Sequence, residues 1–382
     1  MSPALGVYVH WPFCSRICPY CDFNVYRHRG REDQGLALKA AILKDLEAQA
    51  ARLGPRTLVS VFFGGGTPSL MAPEWIAEIL AACRRLWPDH GEIEVTLEAN
   101  PTDAEAAKFR GFRSAGVNRL SLGLQALDDE ALKVLGRDHT SLEGQRAAGL
   151  AAEIFPRLSI DLIYARPGQT ASAWARELEA ALRLGARHVS PYQLTIETGT
   201  AFDRAVGRGH LTPPGPDLAA DLYEVTQHVL GQAGFDAYEV SNHALSGAHQ
   251  SRHNLLYWRG EDYLGIGPGA HGRITLNGAR QATIAAMRPG DYMDRVQNHG
   301  LGPAETEILS PVSAAEERLL SGLRITEGVA FADLTALGLE AGHPEVCSLV
   351  NSGLLVADSH RLRATPGGRL VLNWVTSRLA LA

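Results

Sequence analysis

Residues 8–24 read YVHWPFCSRICPYCDFN. A strand-like apolar run leads into Cys14, Cys18 and Cys21, spaced C-x3-C-x2-C. A disulfide framework spreads its cysteines over distant loops, so this crowding points to metal chemistry where thiols stay reduced. Three thiolates on one loop can hold three corners of a cubane, whereas a fully protein-ligated [4Fe–4S] cluster takes four. The missing corner leaves one iron open to an exogenous ligand. Zinc, with His10 as a fourth ligand, is the competing reading. Its usual spacing needs a second, distant cysteine pair, which this chain lacks. The other two cysteines, Cys83 in WIAEILAACRRLW and Cys347 in EVCSLV, read as small buried side chains.

From this loop outward, short apolar runs alternate with amphipathic stretches. GVYVHW (6–11), LVSVFFG (58–64), IEVTLEA (93–99), RLSLGLQ (119–125), LSIDLIY (158–164) and HVSPYQL (188–194) read as strands. Helix-like sequence such as LALKAAILKDLEAQAARL and ASAWARELEAALRLG lies between them. This order predicts right-handed βαβ units and a parallel sheet. Periodicity leaves open whether the six strands curl into a partial barrel or lie as a doubly wound sheet. Polar and glycine residues at the strand ends, Gly64–Gly66, Glu98, Gln125 and Asp161, favour the barrel, where such ends share one cavity.

The rest of the chain divides less clearly. Three units are expected: a barrel with its cysteine loop over 1–235, an irregular histidine-bearing region closing it over 236–303, and a winged-helix-like unit over 304–382. The tail reads as helices followed by a hairpin, GLLVADSHRLRATPGGRLVLNWV. From residue 305 onward six Arg face nine acids with no Lys, which speaks against DNA binding. The whole chain of 382 residues carries 36 Lys+Arg against 42 Asp+Glu, a net charge of −6 that also argues against a general polyanion binder. With 45% hydrophobic and 20% charged residues it is an ordinary globular composition, which excludes a disordered chain. No secretory signal and no apolar run of about 18 residues is visible, so a cytoplasmic protein without a transmembrane segment is expected.

The spacing C-x3-C-x2-C with Tyr20 before the last cysteine resembles the radical S-adenosylmethionine (SAM) superfamily. That resemblance implies an α/β fold, a partial (β/α)6 barrel, and SAM chelating the open iron of a [4Fe–4S] cluster. Within the superfamily, YVHWPFC, FFGGGTPS, LEANP, RLSLGLQ, LGRDH, SIDLIY, PYQLTIE, HNLLYW and GIGPGAH follow the order of the coproporphyrinogen oxidase-like branch, and in it the HemW-type haem chaperones. The likeness implies that Cys14, Cys18 and Cys21 ligate the cluster and that Tyr8 contacts SAM beside it. Gly64, Gly65, Gly66 and Thr67 would hold the amino-acid end of SAM and Glu98 its ribose, with Gln125, Arg137 and Asp161 lining the remainder. His253 of HNLLYW would ligate haem iron, with His249 and His243 as rivals, and Tyr257 and Trp258 would offer flat faces to the macrocycle. Partners would be haem and haem-accepting proteins, respiratory and membrane-associated ones among them, with no nucleic acid; a homodimer stays open. The alternative is an oxygen-independent coproporphyrinogen III oxidase. Those oxidases carry a further cysteine where this chain has Phe23, and a longer N-terminal extension. A radical SAM methyltransferase or haem-opening enzyme, and a structural zinc module, are more distant readings.

Overall fold

The computed structural model describes residues 2–28, 30, 32–89 and 91–381. Six strands follow the expected positions closely: β1 (Ala4–Trp11), β2 (Thr57–Gly65), β3 (Glu94–Ala99), β4 (Arg119–Gln125), β5 (Arg157–Tyr164) and β6 (His188–Gln193). They are parallel and lie side by side in chain order. A doubly wound sheet reverses its strand order at a switch point. The consecutive order found here is that of a barrel wall. Helices α1 (Glu32–Leu53), α2 (Pro73–Leu86), α3 (Phe109–Ser114), α4 (Ser141–Ile154) and α5 (Ala171–Leu182) make the crossovers.

Side-chain alternation explains why the wall curls around something polar. Leu5, Val7 and Val9 of β1, Val61 and Phe63 of β2, Val95 and Leu97 of β3, and Leu120 and Leu122 of β4 all belong to one buried apolar cluster. The intervening positions carry Gly6, Tyr8, Ser60, Thr96, Glu98, Ser121 and Asp161. A purely structural barrel fills its interior with branched aliphatics. Here one face packs on helices and the other faces inward with acids, hydroxyls and glycines.

Residues 236–303, expected to be irregular, are ordered. β7 (Asp236–Glu239) and β8 (Asn242–Ala244) add antiparallel strands beside β6. β9 (Asp262–Ile266) instead pairs parallel with β1 at the opposite edge, followed by antiparallel β10 (His271–Leu276), β11 (Ala279–Ala285) and β12 (Pro303–Ile308). The twelve strands form one sheet. Because β12 belongs to it, the sheet runs past the expected boundary at 304. Between the two edges, α6 (Arg252–Trp258) carries the HNLLYW segment and packs on β2.

The C-terminal unit has its own apolar core, including Leu319, Val329, Leu349, Leu362 and Val375. Its helices Pro311–Gly322 and Pro344–Asn351 accompany a three-stranded sheet of Val329–Ala330, Leu355–Ala357 and Arg361–Ala364, which suits a winged-helix-like arrangement. The expected final hairpin is confined to 355–364. Thr365 then caps a helical turn through Gly368 N–H, and Leu372–Ala380 is helical, burying Leu372, Val375 and Leu379. Cys83 is buried as expected, whereas Cys347 is exposed. Val346 and Leu349 form the buried side of its helix, which leaves Cys347 on the outer side. Among the described residues no helix is long and apolar enough to cross a membrane.

Candidate functional site

The strand ends and the cysteine loop enclose a cavity of about 430 Å³, within the roughly 300–1,000 Å³ usual for small-molecule sites. Cys14, Cys18, Cys21, Gly65, Gly66, Thr67, Glu98, Gln125, Arg137 and Asp161 all line it. Residues of six separate stretches thus converge, among them the polar strand ends that the sequence announced. Among the described residues no three His, Cys, Asp or Glu side chains converge as closely as a single metal ion requires. A cubane is a larger body, each thiolate binding a different iron. His10, the zinc candidate, is spoken for: its Nε2 donates to the Asn24 carbonyl at 2.9 Å and its Nδ1 lies 3.0 Å from the Tyr8 hydroxyl. That bond anchors the cysteine loop to β1. Asn24 in turn donates to the carbonyls of Pro268 and Met287. A Cβ at Gly269 would stand 2.4 Å from the Asn24 amide, which accounts for a glycine at this point of GIGPGAH.

The glycine run closes the opposite wall. Gly66 donates its N–H to the Trp11 carbonyl and Thr67 to the Phe13 carbonyl, drawing the turn onto the start of the cysteine loop. A Cβ at Gly66 would meet the Pro12 and Phe13 backbone at 2.8 Å, so only glycine permits this approach. Arg137 reaches across from the LGRDH segment. One Nη lies 3.5 Å from the Cys18 sulfur, and the other donates to Asn100 Oδ1 at 2.5 Å and the Gly123 carbonyl at 3.0 Å. Asn100 Nδ2 donates to Thr67 at 3.3 Å, linking the arginine to the glycine run. Asn100 follows Glu98 within LEANP, yet its bridging role was not legible there. Gln125 adopts φ +65° at the irregular end of β4. A non-glycine residue held there is strained backbone of the kind that clusters at functional sites.

Two acids face each other inside the wall. Gly65 N–H donates to Glu98 at 3.2 Å, and Asp161 accepts from Ser121 at 2.8 Å and Ser159 at 3.1 Å. Burial, together with the Asp161 charge, pushes the Glu98 carboxyl up to about 8. Burial also raises Asp161. Raised acids hold their protons more tightly folded than unfolded, so stability falls as pH climbs from the unfolded value toward the folded one. Glu98→Gln is therefore expected to flatten the loss of melting temperature between about pH 5 and pH 8 in SAM-free protein. Melts across that range check it, and an unchanged slope would contradict the assignment.

The polar set fits a charged, hydroxyl-bearing ligand. Gln125 Oε1 and Arg137 Nε are buried without a partner in the wall of this cavity, and unmet buried groups of this kind are costly unless a ligand or water satisfies them. Three expected residues stand apart. Tyr8 and Gly64 lie behind the lining, the Tyr8 ring 3.0 Å from where a Gly64 Cβ would be. His253 lies deeper still.

The sequence profile of the radical SAM superfamily matches residues 8–181, and that of the HemN C-terminal domain matches 309–371. "Heme chaperone HemW" of Bacillus subtilis is 34% identical over 382 residues, covering 97% of both chains. Its Mycobacterium tuberculosis namesake is 37% identical over 380 residues, covering 98% of this chain and 94% of that one. This chain belongs to the HemW family of radical SAM proteins. A bovine relative, "Radical S-adenosyl methionine domain-containing protein 1, mitochondrial", is 41% identical across 97% of this chain and 87% of its own length. The solved coproporphyrinogen III oxidase HemN of Escherichia coli shares the fold, with a TM-score of 0.81 over 99% of this chain and 90% of that one, at 20% identity. Membership in the radical SAM superfamily implies a [4Fe–4S] cluster and SAM.

The HNLLYW segment of this HemW-family chain forms a plug at the floor of the barrel. His253 is 1% exposed. Its Nδ1 lies 2.8 Å from the Ser60 hydroxyl and its Nε2 2.6 Å from the Tyr257 hydroxyl, while Phe62 stacks on the ring at 5.0 Å. Burial pushes the imidazole down to about 3, hence neutral. With both nitrogens engaged and no path to solvent, this arrangement offers no nitrogen to an axial iron. Its rivals differ. His243 is 1% exposed and contacts Gln227, while His249 is half-buried in a 3-10 turn beside Ser246.

Proposed function

We propose that this chain is a haem-binding radical SAM-type protein that takes up haem and passes it to acceptor proteins. What supports the reading is identity of 34–37% over nearly the full chain to bacterial proteins named heme chaperone HemW. The likeness to HemN, at 20% identity, speaks for fold alone. Phe23, 63% exposed at the mouth of the cavity, stands where the oxidases carry their further cysteine. In this reading Cys14, Cys18 and Cys21 hold the cluster, which when bound supplies an electron and an iron able to accept a chelating ligand. Gly65, Gly66 and Thr67 receive the amino-acid end of SAM. Arg137 presents donors that suit a carboxylate, and Glu98 and Asp161 present acceptors that suit hydroxyls. A reducing compartment is required, and the cytoplasm meets that need.

One sample decides between chaperone and oxidase. Cluster-reconstituted protein is expected to bind haem stoichiometrically by Soret titration, to release it to an apo-haem protein, and to leave coproporphyrinogen III unconverted. Conversion to protoporphyrinogen with loss of two carboxyl groups would overturn the reading in favour of the oxidase.

A further inference from the structure

Asn100 directly follows β3 and stands in the wall of the cluster cavity. Its side-chain amide is used in both directions. Oδ1 accepts from one Arg137 Nη at 2.5 Å, and Nδ2 donates to the Thr67 hydroxyl at 3.3 Å. Its backbone N–H donates to Glu105 at 3.1 Å. Glu105, 4% exposed, also accepts from Ser69 just beyond the glycine run and from Thr102 at 3.4 Å. The asparagine is thus fixed by its backbone and by both ends of its amide, a node between LGRDH and the glycine run.

Each arm of the node ends on a cysteine sulfur. On one arm, the Arg137 Nη held by Asn100 and the Gly123 carbonyl leaves the other Nη 3.5 Å from the Cys18 sulfur. The turn before Arg137 is pressed onto the cysteine loop. Gly136 has φ +68°, a Cβ there would stand 2.5 Å from the Pro19 ring, and Ser15 donates to Asp138 at 3.2 Å. On the other arm, the Thr67 hydroxyl accepts from Asn100, which leaves its own proton to be donated onward. Burial raises the Cys14 thiol, and a hydrogen bond with the Thr67 side chain acts in the opposite sense, as a donor to sulfur does. Two of the three sulfurs therefore accept bonds whose donors are aimed by one asparagine.

One-electron reduction adds negative charge to a thiolate-ligated cluster. Donors on the sulfurs disperse that charge and favour the reduced form, so they raise the potential. We propose that Asn100 is a positioning residue that sets the reduction potential of the cluster, aiming Arg137 at Cys18 and Thr67 at Cys14. The two roles of Arg137 are compatible, because its Nε has no protein partner and is left for a ligand carboxylate. The assignment rests on ligation of the cluster by Cys14, Cys18 and Cys21.

The test is a potentiometric titration of full-length, anaerobically reconstituted protein without SAM. Electron paramagnetic resonance reads the reduced cluster, and iron and sulfide are assayed on the same sample. Poised at the wild-type midpoint, Asn100→Ala is expected to lower the ratio of reduced to oxidised cluster by at least about tenfold, which is about 59 mV for one electron. Thr67→Val keeps the shape and the amide but loses the hydroxyl. It should move the ratio the same way by a smaller factor, and Thr67→Ser should restore it. A wild-type midpoint in iron-replete Asn100→Ala, or Thr67→Val indistinguishable from Thr67→Ser, would overturn the role of Asn100 and leave the cluster standing. Should Asn100→Ala take up too little iron to titrate, the Thr67 pair decides. Wild-type protein that assembles no cluster would bring down both.

Discussion

Replacing any one of Cys14, Cys18 or Cys21 with Ala is expected to take anaerobically reconstituted protein from about four irons and four sulfides per chain to near none. The three thiols line one cavity and are the cysteines of its lining. His10, the closest candidate by sequence, spends both ring nitrogens on Tyr8 and Asn24. Burial pushes the Cys14 and Cys21 thiols up to about 11, so in the metal-free loop these two are neutral thiols that metal binding deprotonates. Cys83→Ala and Cys347→Ala should keep full iron, since one thiol is buried in the barrel's apolar core and the other lies on the C-terminal unit. Iron and acid-labile sulfide assays read the outcome. Stoichiometric zinc without sulfide would refute the cluster.

Arg157→Ala is expected to destabilise the fold by about 3–5 kcal/mol, the range for stranding one partner of a buried ion pair. Glu94, 1% exposed, accepts from Arg157 at 2.7 Å and from the Arg252 and His253 amides at 2.9 and 3.0 Å. It is thus an acid at the N-terminus of α6, where exposed amides favour negative charge. Arg157 also donates to the Gln250 carbonyl just before that helix. Burial alone would raise the Glu94 carboxyl, but Arg119, Arg157 and the two amides outweigh it and hold it below its ordinary value. A lowered acid stabilises above its unfolded pKa, and that contribution disappears as pH falls through the folded value. The deficit of Arg157→Ala should accordingly be full near neutrality and shrink on acidification. Glu94→Gln introduced beside Arg157→Ala should restore part of the loss. Denaturant melts at several pH values measure this, and a deficit that grows on acidification would exclude the ion-pair account.

Local pattern alone placed the six barrel strands to within one or two residues of their ends, because alternation of apolar and polar side chains is written along each strand. The cluster loop was equally legible, its three ligands falling within eight residues. The glycine run could be read as a close backbone approach, though not that the approach is to Pro12 and Phe13. What the linear chain left open were contacts between distant segments. Strand order, which separates barrel from doubly wound sheet, is a fact of pairing. So is the parallel docking of β9 on β1, which joins residues more than 250 positions apart. Cys347 looked buried because its neighbours are apolar, but only the packing of Val346 and Leu349 decides which side of that helix faces out. His253 is the clearest case. A histidine beside an aromatic pair reads as a ligand, yet Ser60 lies 193 residues away and the Glu94 that caps its helix 159 away. No local pattern encodes those two partners, and with Tyr257 on the other ring nitrogen they turn a candidate haem ligand into a buried, fully engaged imidazole.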